Sequence, residues 1–308
     1  MLFRSDRSRF RLNAFKDKRA NAVVVRRVST NIPKFKDLNL PAETFERISS
    51  FDDGMVILAG VTGSGKSTTI AAMIDHLNET DARHIITIED PIEYEFLNKK
   101  SFISQREIGV DCLNFKAAIR TLVRQDPDVV LIGEMRDLET AEAAIQASLT
   151  GHLVFSTLHT NDAPSAFTRL IDMGIEPFLV GSTVEGVMAQ RLVRTICPDC
   201  KTEFTPEHHE VPGDFPGAAA GGVKVSKGTG CRSCRQTGFR GRTGIYELMV
   251  TGDNIRELCV QRVSAVVIRN QALKEGMITL RQDGWRKVQR GNTTLDEVAR
   301  VTAGDIIG

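Results

Sequence analysis

The sequence predicts an α/β fold, a mostly parallel sheet with helices on both faces, and three observations carry that prediction. Short apolar strands alternate with helical segments between residues 54 and 189, the pattern that βαβ units require. One of those strands, MVILA, runs directly into GVTGSGKS at residues 60–67, a glycine-rich turn of the kind that joins a strand to a helix. Four further helical segments, bounded by Gly, Ser or Thr, fill the end of the chain.

Composition bounds the possibilities. The 308 residues are 41% hydrophobic, enough for two compact domains or for one large core with an appendage. Forty basic against 39 acidic residues give a formal net charge of +1, so no global field draws the chain to nucleic acid or to an anionic membrane. A single Trp and two Tyr argue against a base-stacking channel for single strands, and no nucleic acid is expected as a partner. No apolar run approaches the ~18 residues of a membrane span, and the start MLFRSDRSRF lacks the apolar stretch of a signal peptide. A cytoplasmic location follows as the expectation.

Taken in order, residues 1–32 read as two strands joined by a polar turn over 16–21, the last strands of a larger domain. Their excess of basic residues serves either a solvated strand face or phosphate contact. A linker with Pro33 and Pro41 occupies 33–50, and the core spans 51–196. Within the core the expected order is strand MVILAG, helix 68–77, strand HIITIED, helix 115–123, strand DVVLIGE, helix 139–149 and strand HLVFSTLH. Residues 197–234 carry two cysteine pairs around a Gly-, Ala- and Pro-rich interval, 211–230, that reads as a loop or a weak two-stranded excursion. Residues 235–308 close the chain with the helical segments NIRELCVQ, SAVVIRNQALKEG, TLRQDGWRKVQRG and TTLDEVARVT.

The motifs carry chemistry. GVTGSGKS matches G-x-x-x-x-G-K-[ST] throughout, with the required strand before it and helix after it. Gly60, Thr62, Gly63, Ser64 and Gly65 let backbone N–H groups face phosphate oxygens, Lys66 reaches the β and γ phosphates, and Ser67 or Thr68 opens the helix near Mg²⁺. Strand DVVLIGE ends in Glu134, placed to join the Mg²⁺ shell and to orient or deprotonate the attacking water, although Gly133 stands where an Asp is usual. TIEDPIEY puts Glu89 at another strand end, a second candidate for the water-activating base or an ordinary acidic turn. His152 and His159 flank the strand in TGHLVFSTLH. Each is either a γ-phosphate sensor or a packed structural histidine, and spacing does not decide. Arg106, Arg120, Arg124, Arg136, Arg191 and Arg194 are the cations available for developing charge. Cys197-x-x-Cys200 and Cys231-x-x-Cys234 supply four thiolates in a two-knuckle layout that suits structural zinc, with a redox dithiol or free thiols as alternatives. Cys112 and Cys259 lack partners and are expected as buried thiols.

The combination is more specific than any one piece. GVTGSGKST, ITIEDPIEY, VVLIGEMRDLETAEAAIQASLTGHLVFSTLHTNDA, AQRLVR, the paired CPDC and CRSC, and the ending from GRTGIYELM to TTLDEVARVT closely resemble the secretion and pilus motor ATPases over nearly the whole chain. The resemblance implies a RecA-like P-loop NTPase core preceded by the C-terminal strands of a truncated PAS-like domain. It implies ATP and Mg²⁺ at Lys66 and Ser67, a hydrolytic role for Glu89 and Glu134, phosphate reading by His152 and His159, and nucleotide contact from Arg11 and Arg26. It further implies a homo-hexamer, peripheral at the cytoplasmic face of the inner membrane, that works on a membrane platform protein and moves pilin-like subunits. In this family the tetracysteine segment marks the secretion and pilus-assembly members, whereas SRFRLNAF resembles the retraction members. The alternatives are therefore a pilus retraction ATPase, a nucleic-acid translocase, or a regulatory subunit that binds ATP without turnover.

Overall fold

The computed structural model describes residues 2–5, 8–28, 31–40, 48, 51–122 and 124–303. At the N-terminus β1 (Leu2–Ser5), β2 (Ser8–Asp17) and β3 (Ala20–Val28) form an antiparallel sheet in that order. The turn between β2 and β3 is tighter than the composition implied. Strand pairing runs to Asp17↔Ala20, leaving Lys18 and Arg19 at positive φ, 42° and 73°, as the two turn residues. Both dihedrals belong to the turn type whose twist matches a hairpin.

The central sheet has seven strands in the order β12-β9-β4-β8-β7-β5-β6. They are β4 (Gly54–Ala59), β5 (His84–Glu89), β6 (Phe102–Glu107), β7 (Val129–Ile132), β8 (Leu153–Leu158), β9 (Val184–Ile196) and β12 (Phe239–Val250). All neighbours run parallel except β12 against β9. Strand alternation decides which face each side chain enters. Met55, Ile57 and Ala59 of β4 join one core with Ile86, Ile88, Val130 and Ile132, while Val56 and Leu58 join the other with Ile85, Val129 and Leu131. Both faces are therefore apolar, which is why these strands read as continuous hydrophobic runs.

The first face is covered by α2 (Phe115–Leu122), α3 (Leu138–Leu149), α4 (Pro164–Asp172) and α5 (Pro177–Thr183), and by C-terminal helices α6 (Asp253–Val260), α7 (Ala265–Lys274), α8 (Leu280–Gln289) and α9 (Leu295–Val301). The second face is covered by α1 (Lys66–Thr80) together with Phe35, Leu40 and Ile48 of the linker. That linker is anchored rather than loose. Lys34 Nζ reaches Asp75 at 2.9 Å and Glu79 at 2.6 Å on α1, and Tyr246 donates to Leu38 O at 3.1 Å. The helix expected over 115–123 ends at Leu122, and Val123 lies outside the described residues. In the cysteine segment β10 (Lys201–Phe204) pairs antiparallel with β11 (Val225–Gly228), so only one strand of the pair falls in the 211–230 interval where the sequence offered a loop or a two-stranded excursion.

Candidate active site and metal centre

The parallel strands of the core end on the same side, and the order of strands decides what meets there. Because β8 lies between β4 and β7, the residue after β8 falls between the loop after β4 and the acid after β7. A cavity of about 340 Å³ opens at this point, lined by Thr62, Gly63, Lys66 and Ser67 of the loop, by Glu89, Glu134 and His159, and by Arg11 from the N-terminal hairpin. Ligands of open α/β sheets bind in such a crevice outside the carboxyl ends of the strands.

The loop is built for a backbone-lined cradle. Gly65 caps α1 at φ 95°, and a Cβ there would stand 2.7 Å from the Gln190 side-chain nitrogen, so only glycine fits. Gly60 hydrogen-bonds through its N–H to Leu158 O at 3.2 Å, and Ser64 is buried beneath the loop. Lys66 is buried, its Nζ donating to the carbonyls of Gly60 at 2.6 Å and Val61 at 3.2 Å. Burial pushes its ammonium below the usual lysine range, and the charges of Glu134 and Glu93 work against that shift. Ser67 faces the cavity, whereas the Thr68 hydroxyl is turned to Tyr94 Oη at 2.8 Å. Of the two hydroxyls, Ser67 is the one available to a cation.

Glu89 and Glu134 sit in unlike surroundings. Glu89 is 9% exposed, and it accepts from Thr87 Oγ1 at 2.7 Å and Gln105 Nε2 at 3.3 Å. Burial raises its carboxyl above the usual range, and those two donors oppose the rise. Glu134 pairs with Arg136 at 2.5 Å and lies 3.4 Å from His159 Nε2. Gly133, in place of the usual acid, lies close against the neighbouring strand: a Cβ there would stand 3.3 Å from Ile88 O and 3.4 Å from Glu89 Cα. Two carboxylates, one desolvated and one cation-paired, thus face a lysine and a histidine across one cavity.

His152 is not part of this arrangement. It precedes β8 where His159 follows it, and its Nδ1 lies 2.8 Å from Ala147 O and 3.0 Å from Thr150 Oγ1, closing the end of α3. A strand of six residues separates the two ends, so the phosphate-reading role expected of His152 does not fit its position. Among the arginines, Arg136 and Arg11 line the cavity, while Arg106 turns to Thr121 Oγ1 at 3.2 Å and Arg191 and Arg194 line a groove behind the loop. The Arg26 side chain lies outside the described residues. Gln105 and Tyr94 were not singled out from the sequence. The FISQRE strand is neither an apolar run nor an alternating one, so no periodicity marks it.

At the cysteine segment the four Sγ atoms lie within 4.8 Å of one another. Cys197 to Cys231 is 3.8 Å, Cys200 to Cys234 is 3.9 Å and Cys231 to Cys234 is 3.7 Å. Four thiolates about 2.3 Å from a tetrahedral ion would be about 3.8 Å apart, so the donor set fits zinc and exceeds the length of any disulfide. Burial alone would raise the Cys234 thiol, but N–H donors from Cys231 at 3.2 Å and Gly238 at 3.3 Å help bring it down to about 6. Of the two remaining cysteines, Cys259 is buried as expected and Cys112 is half-buried.

Comparison with known proteins follows the same lines. The family model described as "Type II/IV secretion system protein" matches residues 2–300. The chain belongs to this family. The type IV pilus assembly ATPase PilB of Myxococcus xanthus (strain DK1622) is 46% identical over 254 residues, covering 82% of this chain and 44% of that protein. The type II secretion system ATPase E of Vibrio cholerae serotype O1 is 45% identical over 262 residues, covering 84% of this chain and 50% of that protein. The chain therefore spans about half the length of the curated relatives it matches. Among solved structures, the pilus retraction motor PilT with bound ADP is 35% identical with a TM-score of 0.75, covering 95% of this chain and 74% of that one. The Legionella pneumophila ATPase DotB is 25% identical, also with a TM-score of 0.75, covering 99% of this chain and 76% of that one. The α/β core and its mostly parallel sheet are the fold of these ATPases. No helix among the described residues is long and apolar enough to cross a membrane.

Proposed function

We propose that the chain is an Mg²⁺-dependent ATPase subunit of a type II secretion or type IV pilus assembly motor. The observation that carries the reading is the single cavity in which Lys66 and Ser67 face Glu89, Glu134 and His159. Phosphoryl transfer to water needs positioning and charge neutralisation more than covalent chemistry. Lys66 and the loop N–H groups hold the β and γ phosphates, and Ser67 and Glu134 would hold Mg²⁺, which would neutralise developing charge. Glu89, whose carboxyl is raised chiefly by burial, receives the proton of the attacking water, and His159 and Arg136 contact the γ phosphate. Arg11 approaches the same nucleotide from the hairpin, so a swing of the N-terminal strands against the core follows nucleotide state. The motion is passed to a platform protein at the inner membrane, and the working unit is a homo-hexameric ring at its cytoplasmic face.

The cysteine cluster favours the assembly and secretion branch over retraction. By the resemblance read from the sequence, a tetracysteine segment accompanies those members, and the geometry of Cys197, Cys200, Cys231 and Cys234 suits a closed structural zinc site. Domain roles follow the same division, with 1–32 as the end of a PAS-like domain, 33–50 as linker, 51–196 as the ATPase core, 197–234 as the zinc unit and 235–308 as the C-terminal helical region. Phosphate release from ATP, measured with and without Mg²⁺ on size-separated protein, tests the proposal. Mg²⁺-dependent turnover concentrated in a ring-sized fraction is expected. Nucleotide binding without turnover in any fraction contradicts it and leaves a regulatory subunit.

A further inference from the structure

Between His159 and the first residue of α4 the chain has only residues 160–163, and the last three of them are held from elsewhere in the fold. Thr160 Oγ1 donates to Asp162 O at 3.1 Å. Asn161 O accepts from Arg191 Nη2 at 3.0 Å, and the same guanidinium donates to Val301 O at the end of α9. Asp162 Oδ1 accepts from Ser165 N at 2.8 Å, and Oδ2 accepts from Arg269 of α7. Ala163 N donates to Glu247 Oε1 of β12 at 2.8 Å, and Glu247 Oε2 accepts from Leu280 N at the start of α8 at 3.4 Å.

Glu247 is the unusual member. It is 2% exposed, and burial together with the neighbouring Asp162 charge pushes its carboxyl up, against the pull of Ala163 N–H and Arg269. A buried carboxylate satisfied by two backbone N–H groups is costlier than an apolar side chain of the same size. What it does in return is tie one four-residue loop to α8. The Arg269–Asp162 pair, with both side chains under 15% exposed, ties the same loop to α7. The phosphate-binding loop, residues 60–67, takes no part in either tie.

We propose that Glu247 and Arg269 are positioning residues for His159, so that the C-terminal helices set how well the site distinguishes a γ phosphate from its absence. The inference rests on the nucleotide reading of the cavity and adds to it a dependence of phosphate discrimination on contacts made by the C-terminal helices. Freed of either tie, residues 160–163 no longer fix His159 at 3.4 Å from Glu134. The loop that grips the other phosphates is untouched.

The test compares binding of ADP and of a non-hydrolysable ATP analogue, each with Mg²⁺, to the full chain carrying Arg269→Ala, Glu247→Gln, Arg269→Lys or His159→Ala. The wild type is expected to prefer the analogue, and His159→Ala to lose that preference. Arg269→Ala and Glu247→Gln are expected to cut it roughly ten-fold while ADP affinity stays within about two-fold, and Arg269→Lys to restore most of it. Melting temperatures on the same samples separate a folding defect from a positioning defect. If Arg269→Ala and Glu247→Gln lower the melting temperature but keep the wild-type preference, both residues are structural only and the proposal is overturned. If the wild type binds neither nucleotide, the reading of the cavity itself fails, and the proposal with it.

Discussion

Lys66 and Glu134 meet their partners in different ways: Glu134 pairs with Arg136 at 2.5 Å, and Lys66 Nζ donates to two carbonyls of its own loop. Position, more than residue type, separates the two histidines of one motif. His159 stands at the carboxyl end of β8 beside Glu134, and His152 at the amino end, where it finishes α3. His152→Ala should therefore cost about 1 kcal/mol of stability, the worth of one hydrogen bond, and leave turnover per folded molecule within about two-fold. A thermal melt paired with a phosphate-release assay checks this, and a hundred-fold loss of turnover with an unchanged melt would return His152 to the site. At this scale the sequence was most legible where a motif fixes backbone geometry, as in residues 60–67. It was least legible for Gln105, Tyr94 and Glu247, whose roles come from partners far away in the chain.

Elements were legible in proportion to how uniformly they are buried. Strands β4, β5, β7 and β8 are almost wholly enclosed and read as apolar runs, and the four C-terminal helices read from the Gly, Ser and Thr that bound them. Strands β6, β9 and β12 escaped. β6 and β12 are the edges of the sheet, and β9, next to one edge, mixes its apolar residues with Gln190, Arg191 and Arg194. α4 and α5 each begin on a proline and are too short to show several turns of periodicity. Helix α3 starts at an Asp137 cap whose Oδ1 accepts from Thr140 N at 2.8 Å, so Asp137→Ala should lower unfolding free energy by about 1 kcal/mol in a denaturant titration.

Helix α9 is pinned to β9 through Glu297, which accepts from Arg194 N at 3.0 Å and Arg194 Nη2 at 2.6 Å and pairs with Arg300. Burial alone would raise this carboxyl, but the two guanidinium groups overcome it and hold it at about 2. A depressed folded-state pKa gives stability that is present above the unfolded value and lost as pH falls toward 2. The wild type should shed on the order of 3 kcal/mol from this group between about pH 4.5 and 2, and Glu297→Gln should lack that component of its acid unfolding curve.

At the scale of the whole molecule, three units meet around one cavity: a hairpin that carries Arg11 to it, a core that supplies Lys66, Glu89 and Glu134, and a C-terminal region that holds the loop after His159. The cysteine segment is placed between core strands β9 and β12, which makes it an insertion in the sheet rather than an appendage at a terminus. One zinc per chain is expected by elemental analysis, and its removal by chelator should lower the melting temperature without changing nucleotide affinity by more than about two-fold. The overall class was legible from strand–helix alternation and one motif. The placement of β8 between β4 and β7, which brings His159 to Glu134, is a matter of topology that local patterns do not encode.

The central claim is that one cavity both binds and hydrolyses ATP through Lys66 and Glu134. Its most direct test is ATP turnover and ATP binding measured together on the wild type, Lys66→Ala and Glu134→Gln. The account predicts that Lys66→Ala loses both, and that Glu134→Gln still binds ATP but turns it over at least about a hundred-fold more slowly. Wild-type turnover in Glu134→Gln, at unchanged ATP affinity, would contradict it.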